Sequence, residues 1–235
     1  MSVTYKKCLA HTLFAALAFT ATGMPVQAAE AAKPAIEHGA DWRTAVQTFV
    51  KANMKHPAWG YSHSERDYVL AKELAAADGV TLDDDVLFAA SYLHDVAAFA
   101  PFRTSADHQD VAADLVPSLL EGTGFPMAKI EAVRGAIRTH MYARDPKGPE
   151  AIYLHDADAL DWLGAIGIAR IFGIVDPAGG SPDGPAAVKR LEDSLENVPP
   201  RIVSKAGKAR IEQRARELKD FLSALRAETA DIRRL

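Results

Sequence analysis

Two strongly apolar stretches each carry carboxylates where their pattern calls for aliphatic residues, and the rest of the chain reads outward from them. Asp85 to Ala100 is apolar around its whole circumference, with no Gly or Pro before Pro101, the pattern of a buried central helix. The adjacent pair His94-Asp95 sits inside it. Glu150 to about Val175 forms a second apolar helix, in which Ala151, Leu154, Asp158, Asp161, Ala165 and Ile168 share one stripe. Burying such carboxylates is costly unless a donor, a cation or a metal pairs with them.

The remaining periodicity is helical throughout. Asp41 is placed to cap a helix reaching about Lys55. Ser62-His63-Ser64-Glu65 has capping-box spacing and opens a helix to about Ala77, with His63, Asp67, Leu70, Leu74 and Ala77 on one face. A helix after Ser105 puts His108, Val111, Ala112, Leu115 and Leu119 together, and one over Met127–His140 aligns Val133, Ala136, Ile137 and His140. Two helices, about Ala186–Leu195 and Lys208–Glu228, close the chain. No segment alternates like a strand, so the expected fold is all-α, a single helical bundle over residues 41–235.

Composition changes this picture mainly at the start. Lys6-Lys7, the apolar run Leu9–Met24 and Val26-Gln27-Ala28 have the layout of a secretory signal peptide over residues 1–28, followed by a flexible spacer at 29–40. The expected location is therefore periplasmic or secreted, with no membrane span in the mature chain. Cys8 is the sole cysteine and leaves with the leader, so no disulfide or thiolate chemistry remains. Loss of Lys6 and Lys7 leaves 25 basic against 31 acidic residues, a net charge of −6. A mildly acidic chain without a long basic run is poorly suited to nucleic acid.

His63, His94, Asp95 and Asp158 come from three expected helices and all face inward. Two imidazoles and two carboxylates suit an oxygen-rich divalent site of the Mn²⁺, Fe²⁺ or Mg²⁺ kind better than a closed structural zinc site. Neighbours on a regular helix diverge by about 100°. His94 and Asp95 can thus share an ion only in a groove faced by other helices.

His63-x-x-Arg66, Ala89-Ala90-x-x-Leu93-His94-Asp95 and Asp156-Ala157-Asp158-Ala159-Leu160-Asp161 resemble, in that order, the HD-domain metal-dependent phosphohydrolase superfamily. Asp156 through Arg170, ending Gly164-Ala165-Ile166-Gly167-Ile168-Ala169-Arg170, is similar to its small bacterial all-α hydrolases, which include nucleoside triphosphate pyrophosphohydrolases. The resemblance spans about Trp42 to Glu228. It implies a divalent metal (Mn²⁺, Mg²⁺, Fe²⁺ or Zn²⁺) held by His63, His94, Asp95 and Asp158, and a small phosphorylated substrate such as a nucleotide. It gives Arg66 a phosphate contact. Asp161 orients a ligand or acts as a base, and His108 and His140 bind substrate, donate a proton or hold a second metal.

Each of these four has a bland alternative: an ion pair of Arg66 with Asp67 or Asp95, a helix–helix hydrogen bond for Asp161, a near-cap polar residue for His108 and a helix C-terminal imidazole for His140. Asp156 and Arg170 read as structural. The chain departs from the family where a lysine often follows the His-Asp pair; here Val96-Ala97-Ala98-Phe99-Ala100 follows, and Arg103 is the nearest cation. A metal-stabilised binding protein, or an oxygenase or lyase on the same scaffold, are the rival functions.

Overall fold

The computed structural model describes residues 33–39 and 41–235; the expected leader and the beginning of the spacer lie outside the described residues. Among the described residues there are nine α-helices and no strand. Helix α1 (Trp42–Asn53) is capped as its sequence predicts, the Asp41 carboxylate accepting from the Thr44 N–H at 3.2 Å. Helix α2 (Tyr61–Asp78) starts one residue before the expected capping box, which does not form. Gly60 is its N-cap instead, because the backbone folds back so tightly there that a Cβ would lie 2.5 Å from the His56 carbonyl oxygen. Gly79 ends the helix in the left-handed region at φ +71.

Both long apolar helices are interrupted at their polar residues. The first is α3 (Asp84–Leu93) followed by a 3₁₀ turn at Val96–Ala98, not one helix to Ala100. The second divides into α6 (Pro149–Leu160) and α7 (Gly164–Phe172). The turn between them depends on two glycines: Gly164 has φ +66, and a Cβ on Gly167 would meet the Trp162 carbonyl at 2.4 Å. Helices α4 (His108–Leu120), α5 (Ile130–Arg138), α8 (Gly184–Asn197) and α9 (Lys205–Glu228) complete the bundle.

Helix α2 lies at the middle, packed against α3, α6 and α9, while α3 also meets α1 and α5. Leu74, Leu87, Leu93, Ile137, Leu154 and Leu160 are fully buried between them. Asp156 has the structural role its sequence context suggests: its carboxylate accepts from the Val203 and Ser204 N–H groups and ties the start of α9 to α6. Residues 33–39 are less loose than their Ala/Pro composition implies, because Ile36 is buried in the core. No described helix is long and apolar enough to cross a membrane.

An ion-pair latch joins α1 to α3. Arg43 donates to Asp84 and Asp85 at 2.7 Å each, and its guanidinium lies 4.8 Å from the centre of the Phe88 ring. Burial would raise the Asp84 pKa, but donors on Tyr68, Lys72 and Arg43 outweigh it and hold the carboxyl at about 2. Hydrogen bonds from Lys129, then Arg43, lower Asp85. A lowered folded-state pKa contributes stability at neutral pH that is lost as pH falls through that value. Arg43→Met is expected to lose up to about 1 kcal/mol at pH 7, the latch being partly exposed. Its difference from the wild type, measured by urea unfolding, should shrink between about pH 4 and pH 2.

Candidate metal centre

The break in α3 solves the geometric problem posed by adjacent His94 and Asp95. The imidazole Nδ1–H of His94 donates to the Ser91 carbonyl at 2.8 Å, and Asp95 leaves helical geometry at φ −97, ψ 7. Both side chains then face one point, with His94 Nε2 3.4 Å from Asp95 Oδ2. Helix α2 brings His63 and Asp67 from one face, and the last turn of α6 brings Asp158. Nε2 of His63 lies 3.2 Å from Asp67, 3.3 Å from Asp158, 3.3 Å from His94 Nε2 and 3.7 Å from Asp95. All of these side chains are buried, Asp95 being the most open at 8%.

The outer hydrogen bonds fix which ring nitrogens point at the cluster. Asp161 accepts from Arg66 at 2.8 Å and pairs with Arg170 at 3.1 Å. Although burial alone would raise its pKa, the hydrogen bonds from His63 and Arg66 and the Arg170 charge hold it far below the usual carboxylate range. An ionised carboxylate only accepts, so His63 Nδ1, 2.9 Å away, carries its proton toward Asp161. His94 and His140 donate Nδ1–H to the Ser91 and Ile137 carbonyls. In its neutral form each ring therefore presents an Nε2 lone pair to the interior, the tautomer of a metal-ligating imidazole.

Two overlapping donor sets result. His63, Asp67, His94 and Asp158 offer ligand atoms all within 4.8 Å of one another, and so do His94, Asp95 and His140. Lone pairs and carboxylates facing each other in a buried space repel unless protons or a cation intervene. Without a cation the cluster takes up protons. Burial pushes His63 and His94 down, but neighbouring carboxylates outweigh it and raise both; burial, then the Asp161 and Asp158 charges, drives Asp67 well up. His140 is lowered to about 4, by burial and then by His94. Neither Asp67 oxygen nor His140 Nε2 has a hydrogen-bond partner. Orphaned acceptors of this kind fit a divalent cation.

The cluster opens onto a cavity of about 390 Å³ lined by Asp95, Asp158, His108, Trp59, Arg103 and Arg190, among others. His108, in the first turn of α4, holds Nε2 3.2 Å from Asp95 Oδ1 and remains partly open to the cavity. His140 lies just beyond α5, buried, with Nε2 3.8 Å from Asp95 Oδ1. Arg66 is placed differently from its expected phosphate contact. Its guanidinium grips both oxygens of Asp161 and borders a separate cavity beside Arg210 and Arg214. Sequence reasoning also missed Asp67 as a member of the cluster, and Arg170, whose Nη2 lies 3.3 Å from His63 Nε2. The signal for Asp67 was its i, i+4 spacing from His63 on an otherwise apolar face.

Residues 60–163, which hold every residue of both donor sets, match the family model for the HD domain. The chain carries an HD domain. The match ends before Arg170 and Arg190, so those contributors to the cavity lie outside it. Among solved structures, a Lactobacillus plantarum protein is similar at 26% identity and a TM-score of 0.60, over 83% of this chain and 100% of its own. A protein from an uncultured Thermotogales bacterium, described as a predicted HD superfamily hydrolase, is 25% identical at a TM-score of 0.57, over 79% of this chain and 90% of its own. Bacillus subtilis YpgQ, solved in complex with ADP, shares the fold at 20% identity and a TM-score of 0.62, over 79% and 97%. No curated protein matches the chain. The HD domain and its buried His/Asp cluster fit a metal-dependent hydrolase.

Proposed function

We propose that the protein is an exported phosphohydrolase that cleaves a phosphoester or phosphoanhydride bond of a small molecule, a nucleotide being the first candidate. The observation that carries this reading is the convergence of three imidazole lone pairs with the Asp67, Asp95 and Asp158 carboxylates at the floor of an open cavity. A divalent cation held by His63, His94, Asp95 and Asp158 would lower the pKa of a coordinated water and orient a phosphoryl group against it.

The chain's own residues divide the remaining work. Asp161 fixes the tautomer and orientation of His63, and Arg66 and Arg170 hold Asp161 ionised, which suits an orienting role better than that of a base. His108, in contact with Asp95 and open to the cavity, is positioned to donate a proton to a leaving oxygen. His140, with His94 and Asp95, offers a second cation position. Phosphate recognition falls to arginines at the rim, away from Arg66. Arg103 is anchored by donating Nε–H to the Ala98 carbonyl at 2.7 Å, and the Arg190 guanidinium lies 5.2 Å from the Trp162 ring centre. The nucleotide candidate is supported by the indole of Trp59 at the same cavity, an aromatic surface for a base, and by the shared fold of the ADP complex. The leader expected from the sequence supports a reaction outside the cytoplasm.

The substrate class is tested by incubating the Mn²⁺-loaded chain with nucleoside mono-, di- and triphosphates and simple phosphate monoesters, following products by ³¹P NMR. A nucleotide giving phosphate or pyrophosphate identifies the bond cleaved. Turnover of simple esters alone would contradict the nucleotide assignment while leaving the hydrolase reading in place.

A further inference from the structure

We infer that Asp67 is a direct ligand of the inner cation, closing a coordination shell with His63, His94 and Asp158. This rests on the metal-centre reading above but changes its ligand set: Asp67 joins the inner ion, and Asp95, which the His, His-Asp, Asp pattern counts as a ligand of that ion, goes to the cavity-side position with His94 and His140.

Asp67 follows His63 by four residues on α2, so both project from the same face one turn apart. That face otherwise buries Leu70 and Leu74. The Asp67 side chain is 0% exposed, and neither of its oxygens accepts a hydrogen bond. No lysine or arginine pairs with it among the described residues: Arg66, next in sequence, turns to Asp161, and Arg170 is held by Asp161 and the Ala58 carbonyl. His63 Nε2 lies 3.2 Å from Asp67 Oδ2 and His94 Nε2 3.8 Å from it. The hydrogen bonds to Asp161 and Ser91 commit both of those rings to presenting lone pairs.

With both rings neutral, the Asp67 carboxylate has no protein donor, a buried polar group left without a partner. The spacing suits one ion. At metal–ligand distances of about 2.1 Å, octahedral neighbours lie about 3 Å apart and opposite ligands about 4.2 Å. The four donor atoms of His63, Asp67, His94 and Asp158 fall within 4.8 Å of one another. Asp95 falls outside this set, on the cavity side, where it meets His108 and His140. Two carboxylates and two imidazoles neutralise a divalent ion and favour one that prefers oxygen, Mn²⁺ or Fe²⁺ over a structural Zn²⁺.

The test compares the wild type with Asp67→Leu, which keeps the volume and removes the charge. Each is stripped with chelator, titrated with Mn²⁺ by calorimetry and melted with and without the ion. A ligand role predicts that the metal-free variant melts higher than the metal-free wild type, since a lone buried carboxylate is gone. It also predicts that Mn²⁺ binds at least about tenfold more weakly and raises the melting temperature less. Wild-type Mn²⁺ affinity in Asp67→Leu would overturn the assignment. If that variant does not fold, Asp67→Asn carries the test, because an amide oxygen is a weaker ligand and must still reduce affinity. A wild type that binds no Mn²⁺ at all would instead remove the metal-centre reading beneath it.

Discussion

Asp95→Ala is expected to abolish metal-dependent phosphate release, with kcat/KM falling on the order of 10³-fold or more. Asp95 is the carboxylate through which the buried cluster communicates with the cavity. Its Oδ2 lies 3.4 Å from His94 and 3.7 Å from His63, while its Oδ1 lies 3.2 Å from His108 and 3.8 Å from His140. Four imidazoles therefore lose their shared anionic partner in one substitution. The folded structure should survive, because Asp95 follows the end of α3 and makes no capping bond for the turn after it. Near-wild-type turnover in a well-folded Asp95→Ala protein would remove Asp95 from the catalytic centre.

The largest effect on stability is expected at Asp161. Its carboxylate accepts from His63 Nδ1 at 2.9 Å, from Arg66 at 2.8 Å and 3.2 Å, and pairs with Arg170 at 3.1 Å. Arg170 is almost fully buried beneath Trp162, its guanidinium 4.0 Å from the ring centre. Asp161→Ala leaves that guanidinium without its anion in a low-dielectric interior, a loss of about 3–5 kcal/mol. Urea unfolding at pH 7 measures it as a shift in midpoint with an unchanged slope. A loss below about 1 kcal/mol, the range of exposed pairs, would show that solvent reaches Arg170 and takes the place of Asp161.

The helical class was legible because the hydrophobic period is helical over most of the chain, as at Leu70–Leu74, and one expected N-cap, Asp41, forms while the Ser62 capping box does not. The central constellation was legible because polar residues on apolar faces carry their own signal. What sequence could not show was set by long-range packing. Every residue from Asp85 to Ala100 is compatible with a helix, yet α3 stops at Leu93 so that His94 can bond the Ser91 carbonyl and Asp95 can turn into the cluster. The division of α6 from α7 had a hint in Gly164, but a lone glycine inside a helical pattern is tolerated too often to mark a break. Arg66 looked free for phosphate because its partner, Asp161, lies far along the chain. The same distance hid Arg190, which reaches the cavity from α8 well outside the HD match.

The most direct measurement is phosphate and pyrophosphate release by the chelator-stripped chain, with Mn²⁺, Mg²⁺, Fe²⁺ or Zn²⁺ restored one at a time over a panel of nucleotides and phosphate esters. No release is expected from the stripped protein, and release is expected with at least one of these ions. Stoichiometric binding of an ion at His63, His94 and Asp158, with no release from any substrate, would contradict the hydrolase reading and leave a metal-stabilised binding protein in its place.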